Sequence, residues 1–148
     1  MKASTGVRSQ ASFSAGTAGR TGFLKDHHVC ACVFVVAGDP VAVAARWAHF
    51  SALLPRPAGA YVHLAAMRGH VLVGSRENWI ALLGDAPSPP ALAGYAIECR
   101  DAAPLVSRCK ALGLPLRRIR DGLYAVALPE ALGGNWIFGT RKGLALPS

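Results

Sequence analysis

The chain spells out one strand–cap–helix pattern twice. VFVVAGDPVAVAARWAHFSALLP around Asp39 and YAIECRDAAPLVSRCKALGLP around Asp101 each run strand, aspartate, helix, and Arg46 matches Arg108 at the same offset, 101 − 39 = 62. Aspartate suits the start of a helix because its carboxylate accepts hydrogen bonds from the free N–H groups of the first turn, and Pro40 suits the position that follows. Behind the caps, Val43, Trp47, Phe50 and Leu54 in one half and Leu105, Cys109 and Leu112 in the other predict one buried helical stripe each. Gly113 follows where the second helix is expected to stop.

The match continues beyond the helices. GHVLVGSR (69–76) lies over GNWIFGTR (134–141), now at an offset of 134 − 69 = 65, so the second half carries a longer turn. YVHLAAM (61–67) and LYAVALP (123–129) predict the strands upstream of these, and Leu116 to Arg120 predict one more. Its counterpart near Arg56 is cramped between Pro55 and Pro57, so that strand is expected to be short or absent. Glu77 to Leu83 predict a helical turn or two ahead of the Pro-rich linker GDAPSPPALAG.

Strand, helix, then two or three strands, twice over, resembles the paired βαβββ modules of the vicinal oxygen chelate superfamily, which includes glyoxalase-like and bleomycin-resistance-like proteins. The resemblance covers residues 28–141, and YAIECRDAAPLVSRCKALGLP and LPEALGGNWIFG carry most of it. It implies an α+β fold in which two βαβββ modules, about 28–76 and about 93–141, form a curled mixed sheet around a cleft with the helices on the outer face. The domain is expected to span 26–148, behind a flexible basic leader at 1–25.

Charge and length exclude several other classes. Of the formal net charge of +8, Lys2, Arg8, Arg20 and Lys25 supply four ahead of the first acid, Asp26, so the domain itself is only mildly basic. Arg117, Arg118 and Arg120 have no interleaved aromatic residues or nucleic-acid motif around them; a solvated edge strand accounts for them, and nucleic acid is not an expected partner. The longest apolar run, Val29 to Ala37, is far short of the ~20 residues a helix needs to cross a bilayer. The leader lacks the apolar stretch of a secretory signal, although its basic, Ser-rich, acid-free character is shared with organelle transit peptides. A cytoplasmic protein with four reduced cysteines is the expectation.

Alternation along the strands sorts the remaining side chains. Ile97 and Cys99 fit beneath the second helix, which sends Glu98 into the cleft. By the same offset Val36, Phe34 and Cys32 face inward, and the histidine- and cysteine-rich stretch DHHVCAC (26–32) splits: His28, Cys30 and Cys32 on the cleft side, His27 and Val29 on the other. His63 shares the cleft side with Tyr61, whereas His70, matched to Asn135 at a turn, is expected to be structural or exposed, and His49 lies off the helical stripe. Register further places Trp136 and Phe138 in the cleft, where with Phe34, Tyr61, Val71 and Val73 they are the expected ligand-binding wall. Glu98 and His63 are the candidate catalytic groups, since a carboxylate on an otherwise apolar inner strand is costly unless something satisfies it.

Metal-dependent members of the superfamily take ligands from the first and last strand of each module. Carried over by register, the resemblance puts those positions at Cys32, Gly94, Val73 and Phe138, of which only Cys32 can bind a cation. No metal or other cofactor is therefore favoured; for a divalent ion the candidate ligands are His28, Cys32 and Glu98, although side chains at i and i+2 on one strand stand about 6–7 Å apart and need help from other strands to close a shell. The resemblance implies a protein that binds a small, partly apolar organic molecule and, if an enzyme, a glyoxalase-like lyase or isomerase acting next to a carbonyl. Two alternatives stay open: a non-catalytic sequestering protein of the bleomycin-resistance type, and a metal-dependent glyoxalase or dioxygenase with a nonstandard site. A homodimer, which members of the superfamily form, is a further expectation. Metal analysis of purified protein is expected to find no stoichiometric Zn, Ni, Mn or Fe, and a stoichiometric amount of any of them overturns that reading.

Overall fold

The structure is a computed structural model that describes residues 31–66 and 69–145; the expected leader, His28 and Cys30 lie outside the described residues. The first half runs β1 (Ala31–Val36), α1 (Pro40–Ser51), β2 (Pro55–Ala58), β3 (Tyr61–Ala66), β4 (Gly69–Gly74) and α2 (Arg76–Leu83). The second runs β5 (Ala91–Glu98), α3 (Ala103–Ala111), β6 (Leu116–Arg120), β7 (Leu123–Ala127), β8 (Asn135–Gly139) and α4 (Arg141–Leu144). The predicted order of elements recurs in both halves. The strand predicted to be short or absent near Arg56 is present as β2, an edge strand, where prolines are tolerated because one side of the backbone needs no ladder partner.

All eight strands form one mixed sheet in the order β2-β3-β4-β1-β5-β8-β7-β6. Within each half the first strand runs parallel to the last (β1 to β4, β5 to β8), while β1 and β5 pair antiparallel and join the halves edge to edge. A register shift between Phe34 and Val35 interrupts that seam. No helix among the described residues is long and apolar enough to cross a membrane.

The two long helices cover the outer face, as expected, though not through the expected stripes. Asp39 caps α1, its Oδ1 accepting the Ala42 N–H at 3.0 Å. Asp101 sits one residue ahead of the α3 cap, which is Ala102, and accepts the Ala103 N–H at 2.9 Å. Helix α1 packs through fully buried Ala44, with Val43 and Ala48 beside it, against Val35, Leu64 and Val73, while Trp47, Phe50 and Leu54 are exposed, Phe50 to 90%. A small residue at the contact lets the helix backbone lie close to the sheet and rotates the large apolar side chains outward. Leu105 and Cys109 of α3 are buried as predicted, but Leu112, beyond the helix, is exposed.

The two short helices, the first of them at the predicted Glu77–Leu83 turn, lie on the opposite, inner face. Ser75 and Thr140 cap them at duplicated positions (140 − 75 = 65), accepting the N–H groups of Asn78 at 3.3 Å and Gly143 at 3.3 Å. From α2, Trp79 fills one end of the inner face: its indole N–H donates to the Val35 carbonyl at 2.8 Å and its ring lies 4.7 Å from Phe34 and 4.6 Å from Tyr61, centroid to centroid. Gly74 makes room for this cluster, since a Cβ there would meet the Tyr61 ring at 2.7 Å.

The duplication is unequal in volume. At offsets of 62 and 65 the mates of Phe34, Tyr61 and Trp79 are Ala96, Leu123 and Leu144, and the mate of Val36 is Glu98. The first half puts three aromatic rings on the inner face, and the second puts smaller side chains and a carboxylate at the mated positions. Replacing Trp79 by Ala is expected to lower the unfolding free energy by about 3–5 kcal/mol in urea denaturation. Trp79→Phe retains much of the packing but orphans the Val35 carbonyl, at a cost of about 1–3 kcal/mol.

Candidate small-molecule site

A cavity of about 320 Å³ opens on the inner face. Its floor comes from the seam and its flank: Cys32 pairs with His70 and Phe34 with Leu72 across parallel β1 and β4, so all four share the inner face. His63 of β3 sits opposite Leu72 and joins them. From the other half, Glu98 at the end of β5 and Arg141 and Leu144 of α4 close the far side. The sequence-predicted Cys32, Phe34, His63 and Glu98 are thus brought together.

Besides Arg141, two polar features stand in this mostly apolar lining. The first is a pair of imidazoles: His63 Nε2 and His70 Nδ1 lie 2.9 Å apart, so one donates and the other accepts a single shared proton. Burial holds the His63 pKa below the ordinary histidine value, and the neighbouring His70 and Arg56 lower it further. The second is Glu98, half-buried and without a hydrogen-bond or ion-pair partner among the described residues. The described aspartates contrast with it: Asp39, Asp85 and Asp101 accept backbone N–H groups and Asp121 pairs with Arg118 at 2.8 Å.

Four expected wall residues are elsewhere. Val71 and Val73 pack beneath α1, and Trp136 and Phe138 pack beneath α3, on the outer side of the sheet. Their strands are apolar on both faces, so alternation offers no contrast by which to set the register, and a slip of one residue exchanges the faces. Tyr61 is on the inner face as predicted but is consumed by packing: it is buried against Trp79 and its hydroxyl donates to the Asn78 carbonyl at 3.0 Å. The inner-face positions of the closing strands are His70 and Leu72 in one half and Ile137 and Gly139 in the other, in place of Val73 and Phe138.

His70, expected to be structural or exposed, therefore lines the cavity. Leu72, Arg141 and Leu144 were also missed. The signal for the last two was present in the repeat, because GSR and GTR match and the residues after each form a capped helix. Among the described residues no three His, Cys, Asp or Glu side chains converge closely enough to hold a metal; His28, one of the three candidate ligands, lies outside them.

No protein-family model and no curated protein sequence matches this chain. Solved structures do. An NAD-dependent benzaldehyde dehydrogenase from Legionella pneumophila superposes with a TM-score of 0.53 at 7% identity, covering 74% of this chain and 97% of that one. A glyoxalase/bleomycin resistance protein/dioxygenase superfamily member from Vibrio splendidus 12B01 superposes with a TM-score of 0.50 at 10% identity, covering 76% of this chain and 97% of that one. At such identities the likeness is one of fold.

The depressed His63 pKa carries a pH dependence with a defined sign. Between that pKa and 6.5 the unfolded chain binds more protons at this position than the folded protein, so the contribution to stability is complete above pH 6.5 and is lost as pH falls through the folded pKa. An NMR titration is expected to show His63 titrating below 6.5, and His70→Gln to move the midpoint up only part of the way, because burial is the larger cause.

Proposed function

We propose, on the premise that the chain carries the paired-module fold of the glyoxalase/bleomycin resistance/dioxygenase superfamily, that it binds a small, partly apolar carbonyl compound in this cavity and moves a proton next to the carbonyl group. The observation that carries the reading is a carboxylate without a partner among the described residues and a hydrogen-bonded imidazole pair, both lining one mostly apolar cavity. Phe34, Leu72 and Leu144 supply apolar contact, and few polar groups are left to orient a ligand, which is the usual composition of a small-molecule site.

In this reading Glu98 is the base. Its carboxylate takes the proton from the carbon beside the carbonyl, the bonding pair moves into the carbonyl to leave an enolate, and the proton returns to carbon from the same carboxyl group. An N–H of the His63–His70 pair hydrogen-bonds the oxygen as negative charge develops there. His63 suits that role as a neutral donor, since its lowered pKa keeps it uncharged near neutral pH.

The test is deuterium exchange in D₂O, followed by NMR, across a panel of small aldehydes and ketones that raise the melting temperature. Wild-type protein is expected to label the carbon next to the carbonyl, and Glu98→Gln to slow labelling by about 100-fold or more while binding is kept. Binding without any wild-type labelling overturns the catalytic part and leaves a sequestering protein.

A further inference from the structure

The duplicated arginines Arg76 and Arg141 (141 − 76 = 65) have different surroundings. Each follows the capping residue of a short inner-face helix. Arg76 is occupied: its Nε–H donates to the Ala86 carbonyl at 3.0 Å and ties α2 to the linker. Arg141 lines the cavity and has no hydrogen-bond or ion-pair partner among the described residues.

The backbone that carries Arg141 is pinned. Thr140 N–H donates to the Gly122 carbonyl at 2.9 Å, Gly143 N–H to Thr140 Oγ1 at 3.3 Å, and the Arg120 guanidinium donates to the carbonyls of Gly143, at 3.0 Å, and Ala145. Gly143 also lies against Gly122 so closely that a Cβ there would overlap the Gly122 backbone. Arg120 therefore acts as a clamp on the helix, while Arg141 presents its guanidinium at the exposed rim.

From this contrast we infer that Arg141 docks a single carboxylate group of the ligand, so that the small molecules this cavity takes are organic monoacids. The inference rests on the proposed small-molecule reading and narrows it. A guanidinium presents a planar fork that matches a carboxylate with two parallel hydrogen bonds. Glu98, which with Arg141 closes one side of the cavity, limits how much negative charge the cavity accepts, which disfavours a phosphate dianion against one arginine.

The probes are phenylacetate, its neutral isostere phenylacetamide, and phenyl phosphate, titrated calorimetrically into the full chain at fixed ionic strength, with leucine methyl NMR at Leu72 and Leu144 to locate binding. Phenylacetate is expected to bind about tenfold tighter than phenylacetamide, as a charge-assisted pair at an exposed rim allows. Arg141→Gln is expected to equalise the two, Arg141→Lys to keep part of the preference, and Lys142→Gln, on the same helix but outside the cavity, to change nothing. Arg141→Met, which keeps the apolar stem, reads the same discrimination should the Gln variant not fold. Equal binding of acid and amide at the cavity methyls, or a preference that survives loss of Arg141, overturns the carboxylate dock and leaves the cavity reading standing. Tighter binding of phenyl phosphate overturns the choice of carboxylate. No response of the methyls to any of the three overturns both readings.

Discussion

Edge-to-edge pairing of β1 with β5 governs every spacing that matters in this molecule. Through that antiparallel ladder two four-stranded units become one sheet, and Cys32 comes to lie opposite Ala96, with Glu98 two residues beyond. The outer face is covered half by half, each unit beneath its own helix. The inner face spans both units and needs cover from elsewhere, which α2 and α4 provide after each closing strand. Trp79 completes one end by packing between Phe34 and Tyr61 and giving the Val35 carbonyl a donor close to the seam.

The two duplicated halves fill the inner face unequally. Here the first half contributes three aromatic rings, and the second contributes Ala96, Leu123 and Leu144 at the mated positions, of which Leu144 lines the cavity. Two polar groups of the second half also line it: Glu98 where the mate is Val36, and Arg141, without a hydrogen-bond or ion-pair partner among the described residues, where the mate Arg76 holds the linker. In an apolar lining such groups interact with a ligand more strongly than they would in water, because little solvent competes.

The fold was legible in the sequence because its signals are local and repeated. A capping aspartate, a helix, and a Gly-bounded closing strand recur at nearly constant offset, and backbone geometry converts each into the same element wherever it appears. The same logic placed Glu98 and His63 on the inner face from the apolar residues beside them, and the repeat offset carried Phe34 and Cys32 along with Glu98. It failed at Val71, Val73, Trp136 and Phe138, which sit in central strands that are apolar on both faces and so carry no periodic contrast. It failed again for α1, where Ala44 rather than the larger apolar residues makes the contact with the sheet. His70 was lost to the same one-residue slip that misplaced Val71 and Val73.

By itself the sequence determined the two halves, their order of elements and the Asp39 cap, because these depend on hydrogen bonds and side-chain periodicity within a few residues. Only the tertiary structure decided which face the closing strands turn inward, that α2 and α4 fold over that face, and that His63 meets His70 while Arg141 reaches the cavity. Those outcomes depend on packing between residues far apart in the chain, where side-chain volume and strand register compete and no local pattern records the result.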